Sequence, residues 1–309
     1  MKVAIRADAS RELGHGHVTR CLALADALAR AGAEVVFLCQ QLPGDAVAQI
    51  RDAGFLCWLL SAVRSMDDDA DQTASLLDHA PGWDWLVVDH YSLRARWGLA
   101  LQSRVGRILV IDDLANRLLH GDVLLDQNFH PDAAQRYAGL VAPTTLQWLG
   151  PQYALLRPAF ARARDARPLR DGLIRRVLVC FGGSDSLNAS QRVLDEVLPA
   201  FPALRFDVVA GAANPHVATL QRCMGRHAHA TLTVAAEDMP QRMAEADLFI
   251  GAGGSMTWER AALALPGITV AVADNQRELC QLLHGRGEGI HLGSFDTLQP
   301  GAVSEAVRR

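Results

Sequence analysis

The chain has 309 residues, half of them apolar, and a formal net charge of −4. That length suits two domains with a core in each; the balance of charge gives no electrostatic case for a nucleic acid polymer, and no apolar run approaches the roughly 18 residues of a membrane span. Cys21, Cys39, Cys57, Cys180, Cys223 and Cys280 are scattered without CxxC spacing, which excludes a disulfide framework or a zinc ribbon and reads as buried thiols of a cytoplasmic protein.

Residues 3–7, VAIRA, open as a strand, with charges running straight into it as in no signal peptide. A polar loop at 8–16 carries Asp8, Gly14, His15 and Gly16, and a helix starts near His17. Val18, Cys21, Leu22, Ala25, Leu28 and Ala29 give that helix one apolar face, and Gly32 closes it. A strand at 35–39 completes the unit. His17 therefore falls at the carboxyl end of a parallel strand, where open α/β sheets bind ligands, and at a helix N-terminus, whose field favours anions and disfavours imidazolium. It is a candidate proton acceptor; the plainer reading is a capping or packed side chain. Thr19 stands where GxGxxG has its third glycine, and strand two ends in Cys39-Gln40-Gln41 without an acid for a ribose, so a nicotinamide cofactor is disfavoured. No histidines show metal-ligand spacing, and no cofactor or metal is expected.

Strands and helices go on alternating. A helix is expected at 45–53, a strand at 55–60, a solvated acidic loop at 65–71, a helix at 71–80, and a strand at 85–89 running into His90 and Tyr91. A helix at 93–103 and strands at 107–111 and 123–125 finish a doubly wound domain, 1–148. Leu149-Gly150-Pro151 breaks the pattern; a short helix at 153–164 and an Arg- and Pro-rich stretch at 165–176 make 149–175 the linker. The second domain, 176–309, repeats the theme. Strands are expected at 176–181, 205–210, 231–234, 247–250 and 269–273, and helices at 189–198, 239–246, 255–265 and 276–285. The fold class is α/β, two Rossmann-like domains facing a cleft.

Three loops carry candidate chemistry. In 251-GAGGSMTWER-260 the glycines admit an anion, the following helix aims the amides of Ser255, Met256 and Thr257, and Glu259 suits ribose hydroxyls. Gly182, Gly183 and Ser184, with Asn188 at the end of their loop, repeat that grammar and read equally as a capped turn. The third is the His17 loop. No HExxH, GxSxG or GxxxxGK[ST] pattern occurs, which removes the metalloprotease, serine hydrolase and P-loop kinase readings.

With these residues in view the chain resembles the UDP-2,4-diacetamido-2,4,6-trideoxy-β-L-altropyranose hydrolases of pseudaminic acid biosynthesis. The matching stretches are 6-RADASRELGHGHVTRCLALADAL-28, 88-VDHYSL-93, 111-IDDLANR-117, 125-LDQN-128, 149-LGPQYALLR-157, 179-VCFGGSDSLN-188, 247-DLFIGAGGSMTWER-260 and 275-NQ-276. They run in order over nearly the whole chain. The resemblance implies a two-Rossmann fold of the GT-B type, a UDP-activated diacetamido sugar as partner, and hydrolysis to UDP and the free sugar with His17 as the catalytic base. It further implies that Gly254, Ser255 and Met256 hold the diphosphate, Glu259 the ribose, and Asp238 and Met239 the uracil. Asn275 and Gln276 would approach the sugar or phosphate, and Tyr91 and Arg157 would line the cleft. Met256 departs softly from the family pattern, and the short tail after Gly293 leaves the last helix of related transferases unaccounted for. Inversion at the anomeric carbon, no metal, and a monomer are expected, with Asp8 a candidate for orienting the imidazole. The competing readings are a UDP-sugar glycosyltransferase, a hydrolase for a related UDP-diacetamido sugar, and a binding module without catalysis.

Overall fold

Both sheets are wholly parallel. The computed structural model describes all residues, Met1–Arg309, and the chain divides into two units, Met1–Arg157 and Pro158–Arg309. In the first unit the strands are β1 (Lys2–Ala7), β2 (Glu34–Gln40), β3 (Leu56–Leu60), β4 (Trp83–Asp89), β5 (Val105–Ile111), β6 (Val123–Asp126) and β7 (Leu146–Leu149). They lie in the order β3-β2-β1-β4-β5-β6-β7. The helices are α1 (Gly16–Arg30), α2 (Val47–Asp52), α3 (Met66–Asp78), α4 (Ala95–Leu101) and α5 (Ala133–Arg136).

The central strands are buried on both faces and so are mainly apolar, with Arg6 of β1 a buried exception. Val3, Ile5 and Phe37 pack one face against Val18, Cys21 and Ala25 of α1 and Ile50 of α2. Ala4, Val36, Leu38 and Leu86 pack the other against Ala74 and Leu77 of α3 and Trp97 and Leu101 of α4. Two-residue alternation along each strand divides these sets.

The second unit opens with α6 (Pro158–Ala166) and continues β8 (Arg176–Cys180), α7 (Ala189–Ala200), β9 (Arg205–Ala210), α8 (Val217–Met224), β10 (Ala230–Val234), α9 (Met239–Glu245), β11 (Leu248–Ala252), α10 (Met256–Ala262), β12 (Gly267–Ala271), α11 (Arg277–Gly285), β13 (Ile290–Ser294) and α12 (Ala302–Arg308). The strand order is β10-β9-β8-β11-β12-β13. Val193 and Val197 of α7 and Val303 of α12 cover one face; Phe160 of α6 and Met243 of α9 cover the other. Phe160 is fully buried, a contribution of about 1.5–3 kcal/mol that ties α6 to this unit.

The strand order reverses between β1 and β4, and again between β8 and β11. Each reversal leaves a crevice at the carboxyl ends of the strands. No helix is long and apolar enough to cross a membrane.

Several boundaries differ from the sequence reading. Residues 65–71 are not a solvated loop. Ser65 caps α3 by accepting a hydrogen bond from the Asp68 amide at 3.1 Å, and Asp67, Asp68 and Asp69 form the first turn, where the helix dipole favours acids. Helix 153–164 is replaced by a 3-10 turn at Pro151–Tyr153 and then α6. The sequence reading assigned no element to β7, α5, α8, β13 or α12.

Candidate active site

The first crevice is built by two strand ends. Gly14 has a φ of +72°, a strained value for an L side chain, and its amide returns to the Ser10 carbonyl at 2.9 Å. His15 pins the loop, with Nε2 3.1 Å from the Gly44 carbonyl oxygen. His17 is then the second residue of α1 and only 6% exposed. Parallel pairing sets Ala7 of β1 level with Asp89 of β4, so the last residue of β4 arrives beside this loop.

His17 Nδ1 lies 2.6 Å from Asp89 Oδ1. Arg20, one helical turn on, forks the same carboxylate: Nε reaches Oδ2 at 2.6 Å and Nη2 reaches Oδ1 at 2.7 Å. Cys21 Sγ adds a weak contact to Oδ2 at 3.6 Å. Asp89 is completely buried. Burial alone would raise its pKa; the charge of Arg20 and the hydrogen bonds from Arg20 and His17 overcome that and hold the carboxyl well below the usual carboxylate range. A carboxylate only accepts, so the Nδ1 proton is donated to Asp89 and Nε2 is left as the imidazole's acceptor. Nε2 has no hydrogen-bond partner within the chain. The Tyr91 ring stands edge-on to His17, with centroids 4.4 Å apart and planes at 78°. Arg20 Nη1 extends the array to Asp113 Oδ2 at 2.9 Å, and Arg136 Nη2 holds the Asp113 carbonyl at 2.9 Å.

Asp8 does not orient His17; Asp89 does. Arg6 and Asp8 are two residues apart and so share a side of the strand, and Arg6 forks the Asp8 oxygens at 2.6 and 2.8 Å. The Gln40 amide at 2.8 Å, Gln40 Nε2 at 3.1 Å and His90 Nε2 at 3.3 Å complete its partners. Burial works against this charge, but His90 and Arg6 hold the carboxyl far below its ordinary value. Arg6 also pairs with Asp69 of α3 at 2.6 Å, so Asp8 belongs to a buried brace that leaves it 1% exposed.

Gly14, Gly16, His17 and Tyr91 are thus gathered in one crevice. Arg157 is half-buried at the end of the first unit.

In the second unit, Gly182 and Ser184 are half-buried and Gly183 is exposed. Asp185 accepts from the amides of Ala189 at 2.8 Å and Ser190 at 3.1 Å, so an internal carboxylate already occupies the N-terminus of α7. Burial raises the Asp185 pKa. Asn188 sits at the cap position with φ +55° and a buried Oδ1 that has no partner.

The 251–260 loop turns tightly under its glycines. A Cβ on Gly253 would stand 1.9 Å from Cys280 Sγ and 3.7 Å from Gln276 Cβ, so only glycine fits there. Gly254 faces Gln276 Nε2, and Gln276 Oε1 accepts from the Val272 amide at 3.1 Å, which joins these two loops. Ser255 is exposed just before α10, Met256 and Glu259 are half-buried on its first turn, and Asn275 is exposed on the neighbouring 3-10 turn. Asp238 precedes α9, exposed and bound to Arg242 Nε at 2.7 Å, which lowers its pKa; Met239 beside it is buried.

Asp89, Arg20 and Asp113 were not picked out as site residues from the sequence. Two signals pointed there. Arg20 follows His17 by three positions, hence on the same helix face. An aspartate also stands at or just after β1, β4, β5 and β6, at positions 8, 89, 112 and 126.

No family model matches the chain. It is 26% identical over 289 residues to the UDP-2,4-diacetamido-2,4,6-trideoxy-β-L-altropyranose hydrolase of Campylobacter jejuni, across 93% of this chain and 97% of that protein. It is 23% identical over 286 residues, 90% of its length, to an uncharacterized protein of Methanocaldococcus jannaschii, of which it spans 57%. A match to the spore coat polysaccharide biosynthesis protein SpsG of Bacillus subtilis is 29% identical over 147 residues, 47% of this chain and 43% of SpsG. The resemblance seen in the sequence motifs therefore extends along nearly the whole chain. Among solved structures, MurG of Acinetobacter baumannii superposes with a TM-score of 0.66 at 16% identity, over 99% of this chain and 90% of MurG. The spinosyn rhamnosyltransferase SpnG with spinosyn aglycone gives 0.62 at 17%, over 100% and 91%. These likenesses show the fold, two Rossmann-like domains of the GT-B type.

Proposed function

We propose that the protein is a UDP-sugar hydrolase that cleaves UDP-2,4-diacetamido-2,4,6-trideoxy-β-L-altropyranose, or a closely related diacetamido sugar nucleotide, to UDP and the free sugar. The observation that carries this reading is His17: its Nδ1 is fixed on Asp89 and its Nε2 is left as a proton acceptor at the β1/β4 crevice. The Campylobacter relative, matched over 93% of this chain, supplies the substrate class.

In this reading Nε2 takes a proton from water as the water oxygen bonds to the anomeric carbon. The bond from that carbon to the diphosphate oxygen breaks, and UDP leaves with the electron pair. The proton then passes from His17 to solvent or the departing phosphate. Attack opposite the leaving group inverts the anomeric centre. Asp89 keeps the imidazole in the productive tautomer throughout. The Gly254–Ser255–Met256 turn receives the diphosphate with backbone amides that lack intrahelical acceptors, Glu259 takes the ribose, and Asp238 and Met239 flank the uracil. Asn275 and Gln276 complete the contacts to phosphate or sugar. No divalent ion takes part.

The test is UDP release with the sugar nucleotide alone, no acceptor and EDTA present, with the sugar followed by NMR. Prompt release with inversion supports the hydrolase. Release only after an acceptor is added makes the protein a glycosyltransferase, with His17 deprotonating an acceptor hydroxyl instead of water.

A further inference from the structure

The His17–Asp89 pair does not stand alone. Asp89 meets Arg20 through two hydrogen bonds as well as His17 through one. A lone carboxylate behind an imidazole stabilises imidazolium strongly; a carboxylate already matched by a guanidinium does so much less. Arg20 Nη2 even stands 3.3 Å from His17 Nδ1, so the imidazole feels the cation directly. Arg20 in turn reaches Asp113 Oδ2 at 2.9 Å, and Asp113 Oδ1 is buried without a partner. Arg136, which touches the Asp113 carbonyl, has its guanidinium beside Asp126, with Nε at 3.3 Å.

With Arg136 and Asp126 offsetting each other, the charges can be summed over His17, Asp89, Arg20 and Asp113. With neutral His17 the two aspartates and one arginine leave one net negative charge; with protonated His17 the array is neutral. We propose that Arg20 and Asp113 are positioning residues that set the proton affinity of His17, Arg20 holding it down and Asp113, acting through Arg20, supplying the charge that balances the proton taken up in turnover. This rests on the reading of His17 as a base.

The other charged and titratable groups near His17 act differently. The Tyr91 ring meets His17 edge-on and its phenol interacts with Arg20, Cys21 touches Asp89 beside Arg20, and Asp8 is bound to His90 and to the Arg6 brace. Asp112, beside Asp113 in sequence, is matched by Arg117 at 2.6 Å. Asp8, His90 and Asp112 are thus ion-paired away from the Asp89–Arg20–Asp113 array, and Tyr91 and Cys21 meet it as uncharged side chains.

The two positions should therefore move His17 in opposite directions. NMR of protein with isotope-labelled histidine, with the signal assigned through His17→Leu, follows the His17 ring against pH without any substrate. Arg20→Gln should move the midpoint up, and Asp113→Asn should move it down, each by about half to one pH unit. Arg20→Lys, which keeps the charge, should stay near wild type. The acid limb of the kcat/KM profile should follow the same order. Midpoints that stay together, or that move in the same direction, overturn the proposal. If Arg20→Gln does not fold, the downward shift in Asp113→Asn decides alone. Absence of turnover in the wild type would refute the hydrolase reading and leave the NMR result standing by itself.

Discussion

Arg20 and His17 lie one turn apart on α1 and grip the same carboxylate, Asp89, at distances of 2.6–2.7 Å. A single strand-end aspartate therefore sets the ring orientation of the candidate base and the position of the neighbouring cation.

Asp89→Asn should separate these roles from binding. An amide at this place can donate to Nδ1 and so favours the wrong tautomer. The expected loss in kcat is about 10²–10⁴-fold, while UDP affinity, read by calorimetry, stays within about two-fold. The variant also leaves buried Arg20 short of its counter-ion, so it should lose roughly 3–5 kcal/mol of stability in denaturant melts. A variant with near-normal kcat would remove Asp89 from the mechanism.

Acid should destabilise the first unit through Asp8 and Asp89. Both carboxyls titrate lower in the folded chain than in the unfolded one. Their contribution is present above the unfolded value of about 4 and is lost as pH falls below it toward the folded values. Urea unfolding between pH 7 and 3 should show stability falling steeply below about pH 4.5, and Asp8→Asn should flatten that slope. An unchanged slope would assign the acid sensitivity to other groups.

Gly253→Ala should disable the second unit's loop through packing. Its new methyl would meet Cys280 Sγ at 1.9 Å, an overpacking that costs about 1–3 kcal/mol. UDP affinity should drop roughly ten-fold or more. Adding Cys280→Ala removes the obstructing sulfur, so the double variant should recover most of that loss. No recovery would place the need for glycine in something other than this contact.

Arg170 closes two helix ends. Its guanidinium donates to the carbonyls of Met243, Ala246, Leu263 and Ala264 at 2.8–3.1 Å, near the C-termini of α9 and α10. Arg170→Ala should cost about 2 kcal/mol or more in stability, because these carbonyls lose charge-assisted donors. The His17 ring signals should be unaffected. Wild-type stability in the variant would show that water replaces the guanidinium without loss.

How much of this was legible in the sequence follows from burial and from range. β4 and β8 were visible from the largely buried apolar runs at 85–88 and 177–180, and β1 from Val3, Ala4, Ile5 and Ala7 around a single buried arginine, Arg6. β13 was invisible because all five of its residues are only half-buried, so no apolar run marks it. α3 was entered late because three acids in a row read as solvent-facing, whereas Ser65 and the helix dipole make them a first turn and Asp69 is buried under Arg6. His17 was legible from its own neighbours, two glycines and a helix start. Its partner was not: Asp89 lies 72 positions away, and only the β1/β4 register brings the two together. Asp8 looked nearer along the chain, but strand alternation turns it toward Arg6.

The central claim is tested most directly by UDP release from UDP-2,4-diacetamido-2,4,6-trideoxy-β-L-altropyranose, measured without acceptor for the wild type and for His17→Leu. The account predicts turnover by the wild type, and a loss of at least about 10³-fold in the variant with UDP binding intact. Near-normal turnover by His17→Leu would contradict it.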